Sequence, residues 1–262
     1  MNTLCRLHAL QITLGENVFG PFSFTITPGE RIAILGPSGA GKTTLLKLIS
    51  GDLRPHAGLY ELKGAAIQTW ALGALSRARA VLPQSSEVAF GLVAHLVIGL
   101  GRIAITGDLK LDETVRQAAR LSSCEHLLHR SFDTLSGGEK ARIHLARVVA
   151  QLWDEQNSLI LVDEPLASLD PGLQIELLES IKQYADDRNH AIVAILHDIN
   201  QAMHYFDRLI LVKEGHLVGD LASGVGAVSD LADLYQIRLD VIERDGSPPW
   251  VFPRASLGLN TL

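Results

Sequence analysis

The chain is poor in cysteine, in long apolar runs and in excess basic charge, and each shortage narrows what it can be. Cys5 and Cys124 are its only cysteines, and they stand in no ligand-like spacing, so a reduced, cytosolic chain is the expectation. No uncharged apolar run reaches the roughly 18 residues of a membrane-spanning helix. The nearest stretch, residues 88–105, contains His95 and Arg102 and glycines at 91, 99 and 101, and reads as a buried helix pair or a docking surface. No basic segment followed by an apolar one opens the chain, so no secretory leader is expected. If this protein serves a membrane, it does so as a peripheral partner. Its 23 basic residues against 29 acidic ones leave a net charge of −6, which argues against a duplex-binding surface. Internal repeats, low-complexity tracts and sustained heptads are absent as well. A length of 262 residues with 47% hydrophobic and 5% aromatic content fits an α/β chain, one large domain or a domain with an inserted lobe.

What is present begins at residues 36–44, which read GPSGAGKTT between the apolar run 31–35 and the helical run from Leu45. The pattern G-x-x-x-x-G-K-[ST] is met. A phosphate chain needs many donors at short range, and the glycines of a loop made of Gly36, Pro37, Ser38, Gly39, Ala40 and Gly41 let successive backbone N–H groups turn inward without a Cβ in the way. The following helix adds its N-terminal amides and dipole. Lys42 places a point charge near the outer phosphates, the Thr43 hydroxyl can ligate Mg2+, and Thr44 continues the helix start. In a random chain of this length the four fixed positions would match roughly one time in a hundred.

A second apolar run, 158–162, ends in Asp163 and Glu164. Ligands gather at the carboxyl ends of buried parallel strands, so Asp163 is a candidate holder of Mg2+ and its water shell. Glu164 is a candidate general base for an attacking water. Residues 135–139 read LSGGE, another serine and glycine turn feeding a helix, so Ser136, Gly137 and Gly138 form a second anion site. One nucleotide cannot easily use two such elements, about a hundred residues apart, from the same subunit. His126 and His129, three apart, would share a helix face, but no carboxylate or thiol cluster supports a metal there.

With these motifs the sequence resembles the ABC ATPase family, the nucleotide-binding subunits of ABC transporters, whose signature is LSGGE. The resemblance implies a P-loop NTPase core with a mostly parallel α/β sheet, an N-terminal antiparallel β part and an inserted α-helical subdomain. The chain is then a single ABC ATPase domain, with residues 1–85 and 155–262 as the RecA-like core and 86–154 as the helical lobe. Gln84 falls where the family's Q-loop glutamine touches the metal or the attacking water. Asp170, in the stretch Ser168-Leu169-Asp170, falls at the D-loop and also suits an N-cap before Pro171. His197 matches the switch histidine on the γ-phosphate. The family often stacks an aromatic residue on adenine, but residues 14–18 read LGENV, so no stacking residue is assigned; Phe19 is nearby and is equally explained as core.

The stretches 77–90 and 235–241 look like the subgroup serving haem, iron-chelate and cobalamin uptake. What this implies is an importer ATPase using ATP and Mg2+, working as a homodimer in which each signature caps the ATP of the other copy. It would sit peripherally on the cytoplasmic face of the inner membrane against integral-membrane permease subunits, with a substrate-binding protein served indirectly and no nucleic acid bound. The alternatives are an ABC ATPase for another cargo or a non-transport one of the DNA-repair or translation type. Residues 4–35 are expected as strands, then helix 139–153, strand 158–162, helix 171–186, strand 191–196, helix 198–206 and strand 208–212, with a hairpin turn at Glu214-Gly215. Beyond 222 the periodicity fades, and Pro248-Pro249 predicts an irregular tail.

Overall fold

Alternating apolar and polar residues at the start of the chain give strands with one buried face. A computed structural model of the chain describes residues 3–83, 91–163, 170–244 and 247–254. Strands β1 (Cys5–Leu14) and β2 (Asn17–Ile26) pair antiparallel; Phe22, Phe24 and Ile26 face inward while Ser23 and Thr25 are exposed. After a turn, β3 (Arg31–Leu35) leaves this sheet and runs into the glycine loop and α1 (Lys42–Ser50). The chain returns through β4 (Ala57–Leu62) and β5 (Ala65–Ala66), which complete a four-stranded sheet in the order β2-β1-β4-β5.

Continuous apolar runs do something else: they become strands covered on both faces. Helix α2 (Leu72–Ala78) leads into β6 (Arg79–Leu82), and a helical stretch follows with α3 (Ala94–Gly99), α4 (Leu111–Leu121) and α5 (Gly137–Gln151). Then come β7 (Leu159–Asp163), α6 (Pro171–Arg188), β8 (Ala191–Ile195), α7 (Ile199–Tyr205), β9 (Arg208–Lys213) and β10 (His216–Ala222). The second sheet has the order β10-β9-β3-β8-β7-β6, parallel throughout except for the β9–β10 hairpin, whose turn is Glu214-Gly215. All five residues of β8 are buried. Ile32 and Ile34 of β3 pack into a core with α1 and the first sheet, while Ala33 and Leu35 pack into the opposite core with α5 and α6.

Two expectations need correction. The segment beyond 222 is not an irregular tail: α8 (Val228–Tyr235) is followed by a hairpin of β11 (Arg238–Arg244) and β12 (Ser247–Arg254). The ladder passes from Ile242↔Trp250 to Arg244↔Ser247 through a register shift, so Pro248 and Pro249 together face one residue of β11. A bulge in a two-stranded ribbon is where a strand tolerates residues without an N–H. His126 and His129 do not share a helix face either, because only residues 125–127 form a short 3-10 turn and His129 lies beyond it.

The junction of α6 and β8 holds a buried titratable ring. His190 is 1% exposed, and its Nδ1 accepts a hydrogen bond from Ser158 N–H at 3.0 Å. Burial, with the charges of Arg188 and Lys63 nearby, lowers its pKa from 6.5 to about 4. As pH falls, the unfolded chain therefore takes up this proton first. The stability carried by the neutral ring is whole above pH 6.5 and is lost as pH drops toward 4. A loss of up to about 3 kcal/mol across that window is expected from this group. In denaturant melts, His190→Asn should fall less steeply than the native chain between those pH values.

Candidate functional site

The carboxyl ends of β3, β8 and β7 lie side by side, and the residues that follow each strand meet there. Ile195 is in register with both Ile34 and Asp163, so the glycine loop, the end of β7 and His197, two residues beyond β8, share one edge. Between β3 and α1 the backbone takes positive φ at Gly36, Gly39 and Gly41 (159°, 77° and 99°). Lys42 opens α1 and is 5% exposed; its Nζ donates to the carbonyls of Gly36 (2.9 Å) and Pro37 (3.0 Å). Thr43 Oγ1 donates to Asp163 Oδ1 at 3.5 Å, a long contact that brings one hydroxyl and one carboxylate together. His197 is exposed.

Neighbouring strands support the loop. Gly215 N–H donates to Ala40 O at 2.9 Å, and Gly20 N–H donates to Gly215 O at 2.7 Å, so the β9–β10 turn bridges β2 and the loop. The ring of half-buried Phe19 packs on Gly41, where an added Cβ would fall 2.8 Å from Phe19 Cδ1. Leu14 and Val18 stay 38% and 49% exposed around the β1–β2 turn.

A second cluster stands on α5 and α6. Ser136 caps α5 in a reciprocal box: its side chain accepts from Glu139 N–H, and the Glu139 carboxylate accepts from Ser136 N–H at 2.7 Å. That backbone hydrogen bond holds the Glu139 carboxyl below its ordinary range, assisted by Arg130 at 2.7 Å. Gly137 and Gly138 are the first two residues of the helix itself rather than a turn before it. Asp170 caps α6 by accepting from Leu173 N–H at 3.0 Å, with Pro171 at the first helical position. The two helix starts touch: a Cβ on Gly138 would lie 2.5 Å from Leu173 Cδ2, and Arg142 grips the Glu176 carboxylate with both terminal nitrogens. Gln84 and Glu164, with Ser168 and Leu169, lie outside the described residues.

The structure thus brings Gly36, Pro37, Ser38, Gly39, Ala40, Gly41, Lys42, Thr43, Thr44, Asp163 and His197 to one sheet edge, while Ser136, Gly137, Gly138 and Asp170 form a separate group at the starts of α5 and α6. Sequence reading missed Tyr235, whose hydroxyl oxygen accepts from Gly36 N–H at 3.1 Å. No local pattern announces a contact across that span of chain.

Residues 19–167 match the family described as ABC transporter. The Hemin import ATP-binding protein HmuV of Pseudomonas fluorescens (strain Pf0-1) is 41% identical over 218 residues, covering 82% of this chain and 85% of its own length. In three dimensions a proposed metal-chelate type ABC transporter, in an inward-facing conformation, is similar with a TM-score of 0.79 at 23% identity, over 97% of this chain and 98% of that one. A dimeric ATP-binding cassette in a post-hydrolysis state with ADP and Pi has a TM-score of 0.73 at 22% identity, over 83% and 98%. Both structures share the P-loop nucleotidase fold described above. This chain belongs to the ABC transporter family.

The packing of Phe19 on a left-handed glycine makes Gly41 intolerant of any side chain. Gly41→Ala should destabilise the fold by about 1–3 kcal/mol, read as a lower midpoint in chemical denaturation.

Proposed function

We propose that the chain is the ATP-binding and ATP-hydrolysing subunit of an importer for haem or a related iron chelate or cobalamin. The carrying observation is the buried Lys42 ammonium, turned onto its own loop beside the Thr43–Asp163 pair. The HmuV relative supports the cargo, since haem import is what that protein's name states. Among the described residues no helix is long and apolar enough to cross a membrane, in keeping with a peripheral subunit at the cytoplasmic face of the inner membrane.

On this reading ATP lays its phosphates along the loop, and Lys42 exchanges two carbonyls for phosphate oxygens. Thr43 and Asp163 supply hard oxygen donors, the kind Mg2+ takes, and with Gln84 they would hold that ion. Bound there, Mg2+ would neutralise charge on the β- and γ-phosphates. His197 contacts the γ-phosphate from the end of β8, and Glu164 orients or deprotonates the attacking water. Ser136, Gly137 and Gly138 of a second copy close the site from the other side, with Asp170 lining the contact, and stabilise the charge of the transition state. Hydrolysis removes the bridging charge, the two copies part, and the helical lobe of residues 86–154 carries the movement to the permease.

Glu164→Gln should lower turnover by about 10²–10⁴-fold and leave an ATP-bound dimer visible by light scattering. Unchanged ATPase activity in that variant would remove the base assignment. Lys42→Ala should lose ATP binding in equilibrium titration and with it all turnover. For the cargo, the chain purified with its neighbouring membrane proteins and reconstituted in liposomes should hydrolyse ATP faster when haem and its binding protein are added. Stimulation by a different chelate alone would reassign the cargo.

A further inference from the structure

The last third of the chain reaches back to the loop it follows in sequence by two hundred residues. Tyr235 ends α8, and its hydroxyl oxygen accepts the Gly36 N–H at 3.1 Å. Gly36 O accepts from Lys42 Nζ at 2.9 Å. Gly36 is therefore held at its amide by Tyr235 and at its carbonyl by Lys42, and of the two the Tyr235 contact is the one that stays in place when Lys42 turns to phosphate. There is little slack around it: a Cβ on Gly36 would lie 2.1 Å from Val212 O and 3.3 Å from Ala40 Cβ. Leu231 and Leu234 of the same helix are buried in the core that holds Leu35, the residue before Gly36, so the hydroxyl is presented from a fixed support.

The segment has a second grip on the site. Directly after α8 the β11–β12 hairpin docks on α7, where the Asn200 side chain donates to Val251 O at 3.0 Å and accepts from Val251 N–H at 2.8 Å, as a neighbouring strand would. The Trp250 ring lies 4.2 Å from that of His204. Helix α7 is capped by Asp198, the residue next to His197. One continuous stretch, 228–254, thus touches the first residue of the phosphate loop and the helix that begins beside the histidine.

We infer that Tyr235 is a positioning residue for nucleotide binding, which holds the Gly36 peptide in the geometry the phosphates need and couples occupancy of the loop to α8 and the C-terminal hairpin. The inference rests on nucleotide binding at residues 36–44, as proposed above. Removing the hydroxyl leaves a buried amide without its acceptor, so the peptide can turn, and nucleotide must then reorder it on binding. By linkage, nucleotide should in turn steady the segment that holds the loop.

Tyr235→Phe keeps the ring and removes only the hydroxyl. It should raise the Kd and KM for ATP with Mg2+ by about fivefold to tenfold, with kcat changed less than about twofold. A merely structural role would lower the melting temperature without that split. In the native full-length chain, amide hydrogen exchange should slow across 228–235 and 247–254 when AMP-PNP and Mg2+ are added. Tyr235→Phe should lose that slowing while keeping it in α1, and Asn200→Ala should lose it in the hairpin only. Equal affinity in native and Tyr235→Phe chains, or native exchange at 228–254 that ignores nucleotide, overturns the inference. A native chain that binds no nucleotide overturns the nucleotide reading and this inference together, an outcome distinguishable from the first two.

Discussion

A buried ammonium at the start of a helix is the constraint on which the site depends. Lys42 is 5% exposed and occupies the first position of α1, where the helix dipole already presents positive potential. No acidic residue stands in the first turn of that helix to offset it. A desolvated charge costs several kcal/mol unless hydrogen bonds or an opposite charge compensate. Gly36 O and Pro37 O supply part of that compensation, at the expense of folding the loop over the lysine. On the reading proposed above, the phosphates of a nucleotide laid along the loop would take over from these carbonyls. The glycines, the helix terminus and the lysine thus ask for one ligand charge type, and the sheet delivers Asp163 and His197 to the same edge.

The second cluster answers a different steric demand. Gly138 is needed within the chain, since Leu173 occupies the place of any Cβ. Gly137 is not: it has ordinary helical backbone, and a Cβ there would meet no described residue within 4 Å. A bare position facing open space at a helix N-terminus makes sense when something outside the chain approaches closely. The capping box fixes the turn beforehand, because Ser136 and Glu139 satisfy each other and Arg130 holds the glutamate. Little ordering is then left to do when another molecule arrives, and preorganisation of this kind favours charge stabilisation over ground-state binding. On the reading proposed above, that molecule is a second copy of the chain carrying nucleotide on its phosphate loop.

Much of this was legible in the residues, for physical reasons that differ from part to part. Phosphate loops and buried strands write themselves into consecutive positions: the glycines of 36–41 and the apolar runs ending at Leu35, Val162 and Leu196 are local signals. Asp170 with Pro171 was readable as a cap, and Glu214-Gly215 as a turn. What escaped was built from distant pieces. Tyr235 meets Gly36 through a contact between residues 199 apart, and Asn200 meets Val251 across 51. Strand β12 hides its character behind two prolines that a central strand would not accept and a bulged ribbon does. Phe19 sat near enough to the loop to invite a ligand role, and only packing assigns its ring to Gly41.

That assignment of Phe19 bears on where binding energy comes from. With its ring packed on Gly41, the described residues around the β1–β2 turn expose the aliphatic side chains of Leu14 and Val18, and these are what a nucleotide base lying there on the proposed reading would meet. An aliphatic contact gains area but reads no hydrogen-bonding edge, and apolar pockets discriminate weakly between ligands of similar shape. The phosphate side, by contrast, would on that reading set a buried cation and a helix terminus against several negative charges at short range. On the reading proposed above, affinity would therefore be concentrated on the triphosphate, the part of the ligand that hydrolysis changes. A site built this way holds its substrate and product unequally through the very group that is cleaved, and that inequality is what a machine driven by hydrolysis requires of its nucleotide.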